Sequence, residues 1–256
     1  MSDVGRQQRA RAAITGAAIA ALLVIGGTIW LAVADKSPHT TASSASTAAT
    51  GASCTWTPAD STQNPNIKQT GTPPAKNLPD AGTRDMTLNT NQGVITIKLD
   101  VTHAPCSAAS FTFLAGQKFF DNTNCHRLTT TAIYVLQCGD PTGTGAGGPS
   151  YTFAHENLPT AKLNYPTGIV AMANPNNPDG NGSQFFIVYK DTPTDPNTGQ
   201  SVLPSNYTVI GTVSAGMDVV QKVAAAGANN ASGPGDGAPK QPLNITSVTV
   251  GPVVGG

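Results

Sequence analysis

The chain has 256 residues with 14 acidic and 14 basic side chains, and only 11% of its residues are charged. So sparse and balanced a charge leaves no basic field able to hold nucleic acid through its phosphates. The 27 glycines and 20 prolines argue against an all-α fold and for a turn-rich globular domain with unstructured flanks.

From Ala12 to Ala34 the chain runs 23 residues without a charge. At about 1.5 Å rise per residue, a helix of this length covers the roughly 30 Å hydrocarbon core of a bilayer. Arg6, Arg9 and Arg11 precede it and only Asp35 and Lys36 follow closely. The positive-inside rule therefore places residues 1–11 in the cytoplasm and everything after the segment outside. The expectation is a single-pass transmembrane anchor over 12–34 and an extracytoplasmic domain at the cell membrane. Ala32-Val33-Ala34 also fits a signal-peptidase site, and that reading exports the domain as well. Residues 35–82, rich in Ser, Thr, Ala and Pro, have little to bury and are expected to form a flexible tether. Within it, Cys54 and Trp56 are the residues able to pin the later part. The folded domain is expected over 83–256.

Cys54, Cys106, Cys125 and Cys138 all follow the apolar segment, an even count suited to two disulfides in an oxidising compartment. No Cys-x2-Cys or His-x3-5-His spacing occurs, so neither a metal site nor another cofactor is expected. The chain is expected to be a monomer.

Residues 84–100 alternate polar and apolar around Asn91-Gln92-Gly93, the pattern of a β-hairpin. Pro105 suits a first helical turn, and Ala109, Phe113 and Leu114 recur near helical spacing. Short β-rich runs follow at Cys125–Thr129, Ile133–Cys138, Gly168–Met172, Gln184–Tyr189 and Tyr207–Val213, divided by loops of Gly, Pro and Asn. A second helix is expected at Gly216–Ala226 and a closing strand at Asn244–Val250. This order reads as a barrel or sandwich.

Three runs carry the chemistry: CHRLTTTAIYVLQCGD from Cys125, MANPNNPDGNGSQFFIV from Met172, and YTVIG from Tyr207. Together they resemble the cyclophilin family of peptidyl-prolyl cis/trans isomerases, the Asn-Gly-Ser-Gln-Phe-Phe-Ile stretch almost letter for letter. Order and spacing agree across about 165 residues. The resemblance implies a mainly β fold, a closed eight-stranded antiparallel barrel capped by two α-helices. It also implies an enzyme that rotates Xaa-Pro bonds. Arg127 then falls at the catalytic arginine, with Gln137 holding the guanidinium or the substrate backbone. Tyr134, Val135, Phe186, Leu203 and Tyr207 fall at the proline pocket, and Ala173, Asn174 and Gln184 at the rim that binds the peptide backbone, Asn174 through its main chain. Phe185, one residue out of register, falls to the core.

The loop between Arg127 and Gln137 is two residues longer than the family pattern, so Tyr134 and Val135 can shift by one. Where many members carry Trp, Val202 or a neighbour stands, which leaves a less aromatic wall and implies weak cyclosporin sensitivity. Strand alternation sets Cys125 on the face of Arg127 and Cys138 away from Gln137, which disfavours a Cys125–Cys138 disulfide. His126 is expected on the face opposite Arg127, without a role as general base. The function so implied is to accelerate folding of exported proteins by acting on their proline-containing segments. A chaperone or scaffold that binds proline peptides with little turnover is the alternative. A hydrolase built on Ser183 lacks an acidic partner and a nucleophile elbow.

Overall fold

The computed structural model describes residues 51–159 and 165–256. The anticipated anchor at 12–34 and the first part of the anticipated tether lie outside the described residues. Among the described residues no helix is long and apolar enough to cross a membrane.

In chain order the elements are β1 (Thr57–Pro58), β2 (Ile67–Lys68), β3 (Thr83–Thr90), β4 (Gly93–Asp100), α1 (Pro105–Gly116), β5 (Thr123–Asn124), β6 (Arg127–Thr129) and β7 (Val135–Cys138). There follow β8 (Gly148–Pro149), β9 (Tyr151–Thr152), β10 (Ile169–Met172), β11 (Phe185–Val188), β12 (Val209–Ala215), α2 (Met217–Ala225), β13 (Asp236–Gly237) and β14 (Asn244–Val250). Ten of the strands make one antiparallel sheet in the order β13-β6-β7-β11-β10-β12-β4-β3-β14-β5. β1 pairs antiparallel with β9, and β2 parallel with β8.

The hairpin of β3 and β4 follows from its alternation: Met86, Leu88, Ile95, Ile97 and Leu99 all point inward and are buried. They meet Phe111 and Leu114 of α1, Val220 and Val223 of α2, and Phe119, Phe120, Leu136 and Phe185 in one core. Pro105 opens α1, as proline can where no intrahelical N–H bond is due. No side chain of its own turn caps that end. Instead Glu156, fifty residues on, accepts bonds from the backbone N–H of Cys106 at 3.2 Å and of Ser107 at 2.6 Å. Gly211 (φ 156°) allows β12 to close on β4, because a Cβ there would stand 2.1 Å from the Lys98 carbonyl oxygen.

The expected closed eight-stranded barrel is not what forms. The sheet is open, with no strand pair joining β13 to β5. β5 ends at Asn124 and β6 begins at Arg127, so the chain permits only about 10 Å between them. The sheet must therefore curl until its two ends meet. Cys125 and His126 carry the backbone across that seam outside any strand, and Cys125 N–H bonds to the Leu243 carbonyl instead of to a ladder. The outer edge of β6 is meanwhile taken by β13. The seam is covalent where a hydrogen-bonded pair was anticipated.

Two further expectations are corrected. Residues 51–82 do not hang as a tether. Cys54 is disulfide-bonded to Cys106, Trp56 packs edge-on to Tyr151 and Phe153 at 5.3 and 5.4 Å, and β1 and β2 both pair with the main domain. Composition misled because this segment needs no core of its own; it borrows one face of another. The second disulfide is Cys125–Cys138, which alternation had disfavoured. Alternation holds only within a strand, and Cys125 lies two residues before β6, where the chain turns its side chain into the core beside Cys138.

Closure of loops of 52 and 13 residues gives chain-entropy contributions of about 4 and about 3 kcal/mol. The Cys54→Ala, Cys106→Ala double variant should therefore lower unfolding stability by up to that larger amount and expose 51–82 to proteolysis. Urea unfolding and limited digestion check both. In α1, Glu156→Ala should cost about 1–2 kcal/mol by orphaning two helix N–H donors, read by the same unfolding measurement.

Candidate functional site

Strand alternation divides β7 and β11 between two environments. Leu136 and Cys138 of β7, with Phe185 and Ile187 of β11, face the main core. Val135, Phe186 and Val188 face a second, smaller apolar cluster with Tyr165, Ala171 and Leu203. This second face opens into a groove of about 480 Å³. At its apolar end stand Ile133, Val135, Phe186, Leu203 and Tyr207, with Ala173 and Asn174 on the rim. The Phe186 ring meets Tyr207 edge-on at 5.4 Å and Tyr165 at 6.1 Å. Tyr165 is fully buried. Its hydroxyl donates to the Tyr207 carbonyl at 3.1 Å and accepts from the Tyr207 N–H at 3.0 Å, fixing the strand entry that carries the Tyr207 ring. Burial pushes the Tyr165 phenol up to about 12, so it stays a neutral clasp.

Arg127 and Gln137 lie directly opposite each other on β6 and β7, and both line the groove. Their side chains do not bond to each other, so of the two roles the resemblance implied for Gln137, the hold on the guanidinium does not form. Gln137 donates from Nε2 to Oε1 of Gln184 at 2.8 Å. Gln184 in turn donates to the carbonyls of Gly145 and Gly147 at 3.0 and 2.9 Å, tying the middle of the groove to its glycine-lined end. Arg127 is held by Asp236 instead, through Nε to Oδ1 at 2.8 Å and Nη2 to Oδ2 at 2.6 Å. This two-point grip uses two of the five guanidinium N–H groups, and the other three have no acceptor among the described residues. The same hydrogen bonds raise the Arg127 pKa and lower that of Asp236.

Sequence reasoning missed Asp236. It sits 109 residues from Arg127 in the run Gly233-Pro-Gly-Asp-Gly, whose one signal was a lone acid in a glycine-rich loop. Tyr134, expected in the proline pocket, is not among the groove residues. β7 starts at Val135, so positions 133, 135 and 137 share the groove side and 134 faces away. The Tyr134 ring packs against Tyr189 at 5.9 Å, with the Lys190 ammonium 4.4 Å from its centroid. Ile133 takes the place in the groove, and the longer loop, with Ala132 at φ 62°, delivers this register. Leu203 is the buried residue of the less aromatic wall, while Val202 is exposed. The Asn174 side chain accepts from the Asn176 N–H and donates to the Asn206 carbonyl, so it shapes the rim loops. His126 has both ring nitrogens buried with no hydrogen-bond partner among the described residues. Desolvation, chiefly, lowers its pKa, and it is not among the described residues that line the groove.

Comparison with known proteins shows the family to which the fold belongs. The family profile described as "Cyclophilin type peptidyl-prolyl cis-trans isomerase/CLD" matches residues 85–250. The chain belongs to the cyclophilin-type peptidyl-prolyl cis-trans isomerase family. It is 43% identical over 213 residues to the "Probable peptidyl-prolyl cis-trans isomerase B" of Mycobacterium tuberculosis, a match covering 77% of this chain and 64% of that one. The Mycobacterium leprae protein of the same name is 43% identical over 212 residues, 77% of this chain and 66% of the relative. The chain thus spans a little under two thirds of the length of these relatives. A cyclophilin-type isomerase from Cryptosporidium parvum, solved in the presence of the dipeptide Ala-Pro, superimposes with a TM-score of 0.52 at 26% identity. That match covers 66% of this chain and 99% of the other.

The pKa shifts give a direct check. Asp236 should titrate below its ordinary value of 3.8, since its charged form accepts two bonds from Arg127. Arg127→Ala should move it back up. The contribution of the pair to stability should be fully present above the ordinary aspartate value and fall away only as pH drops through the depressed one. Carboxyl-detected NMR titration of both proteins reads this shift.

Proposed function

We propose that this chain is a peptidyl-prolyl cis/trans isomerase that accelerates folding of exported proteins, with Arg127 stabilising the twisted transition state of the Xaa-Pro bond. The observation that carries the reading is Arg127 fixed by Asp236 at the edge of the pocket floored by Phe186. Rotation about a peptide bond faces a barrier of about 18–20 kcal/mol because amide resonance resists twisting. Only an interaction stronger in the twisted state than in the planar one lowers that barrier. The proline nitrogen acquires a localised lone pair only when twisted, and a free guanidinium N–H can donate to it then. Arg127 keeps three such donors and a permanent charge. Asp236 holds the fork still, so little reorganisation is needed when the lone pair forms. Phe186, Leu203, Ile133, Val135 and Tyr207 provide the apolar seat for the ring, and Gln137, held by Gln184, keeps its Oε1 and one Nε2 N–H for the peptide backbone.

The export reading rests on the uncharged run 12–34 with arginines before it, and on two disulfides that suit an oxidising compartment. In this reading a single-pass anchor keeps a monomeric domain beside emerging chains, whose uncatalysed prolyl isomerisation takes tens to hundreds of seconds. The alternative, a proline-peptide scaffold with little turnover, needs the apolar seat but has no use for a guanidinium clamped beside it.

The test compares isomerisation of a short Xaa-Pro peptide by the full chain and by Arg127→Ala, with peptide Kd for both. Loss of one transition-state donor should lower kcat/KM by about 10²–10³-fold while Kd changes little. Binding by both proteins without catalysis by either would establish the scaffold instead. Asp236→Ala should lower kcat by roughly tenfold at nearly constant KM, as expected of a group acting through the transition-state donor.

A further inference from the structure

The groove does not end at the residues that seat a proline. Its other end is lined by Gly145, Gly147, Gly148, Pro149 and Thr152, and it is closed by Asn64 and Ile67. These last two come from 51–82, which lies before the region matched by the family profile. We propose that this N-terminal segment is part of the substrate groove, with Ile67 and Asn64 forming a wall that selects an apolar side chain in a peptide residue flanking the Xaa-Pro unit.

The wall is built rather than draped. Asn64 Nδ2 donates to the Ala146 carbonyl at 2.8 Å, and Ile67 pairs in register with Gly148. A Cβ on Gly148 would come within 3.8 Å of Ile67 Cδ1, so the isoleucine closes directly over the glycine backbone. Behind them, the Thr70 and Ser150 hydroxyls lie 3.2 Å apart, and the Cys54–Cys106 bridge fixes the start of the segment. Two further observations set the class of ligand. Among the described residues that line the groove, Arg127 is the single charged one, and it is paired with Asp236. The carbonyls of Gly145, Ala146 and Gly147 already accept bonds from Gln184 and Asn64. The Asp140 carboxylate behind the glycine loop already accepts from the Thr142, Gly145 and Gly147 N–H groups, so a charged flanking residue would lose its water with no unspent counter-ion among the described lining residues, whereas an aliphatic one meets Ile67 and Pro149.

This inference rests on the proposed peptide-binding reading of the same groove, and its test separates the two. Peptides with a fixed Ala-Pro core, each flanking position changed in turn to Leu or Glu, are measured for Kd and for isomerisation with the full chain, Ile67→Ala and Ile67→Lys. At one flanking position the wild type should prefer Leu over Glu on the order of tenfold. Ile67→Ala should shrink that ratio, and Ile67→Lys should reverse it toward Glu, an outcome a misfolded variant cannot produce. A Leu-to-Glu ratio that is the same in all three proteins overturns the proposal. A ratio that responds in Kd while no protein accelerates isomerisation upholds the wall and removes the isomerase reading alone.

Discussion

The two-point ion pair between Arg127 and Asp236 lies where the sheet is least supported by its own ladder. β6 is three residues long and pairs with β7 over two positions and with β13 over two more. Beside it the chain crosses the seam of the curled sheet without pairing. What fixes this strand is thus lateral: the Cys125–Cys138 bridge on the core side and the Arg127–Asp236 pair at the groove. Neither alone would define the arginine's position, because a disulfide constrains backbone and not a long side chain. The carboxylate supplies the missing constraint and keeps three donors unspent.

The same economy shapes β11. All four of its residues are buried, and its alternation serves the core with Phe185 and Ile187 and the groove with Phe186 and Val188. A substrate pocket lined by such a strand is as rigid as the core behind it, since neither face can move without disturbing packed neighbours. Gln184, just before the strand, extends this rigidity to the glycine-lined end through its two carbonyl contacts. Packing and amide contacts thus join the groove lining from Tyr207 to its glycine-lined end.

What the sequence disclosed was the part governed by local period. The alternation of 84–100, the helical spacing after Pro105 and the Phe185-Phe186 register all place side chains by neighbours a few residues away. The missed features depend on long-range contacts. The six two-residue strands β1, β2, β5, β8, β9 and β13 are too short to leave a period, and Asp236 meets Arg127 across 109 residues of chain. The Cys125–Cys138 pairing was lost because strand alternation was extended past the end of the strand. Tyr134 was misplaced for a related reason: the insertion after Arg127 moved the start of β7, and one residue of shift exchanges the two faces. The packed course of 51–82 was hidden by its composition, which describes what a segment can bury alone and not what it can lean on.

Whether Asp236 acts through Arg127, as proposed, or independently is read by a double-mutant cycle on kcat/KM. Wild type, Arg127→Ala, Asp236→Ala and the double variant would be compared on one Xaa-Pro peptide. If Asp236 works only by holding Arg127, the double variant is no slower than Arg127→Ala alone, because a carboxylate with no guanidinium to hold has nothing left to contribute. Losses that multiply would contradict it and assign Asp236 a separate role in the groove.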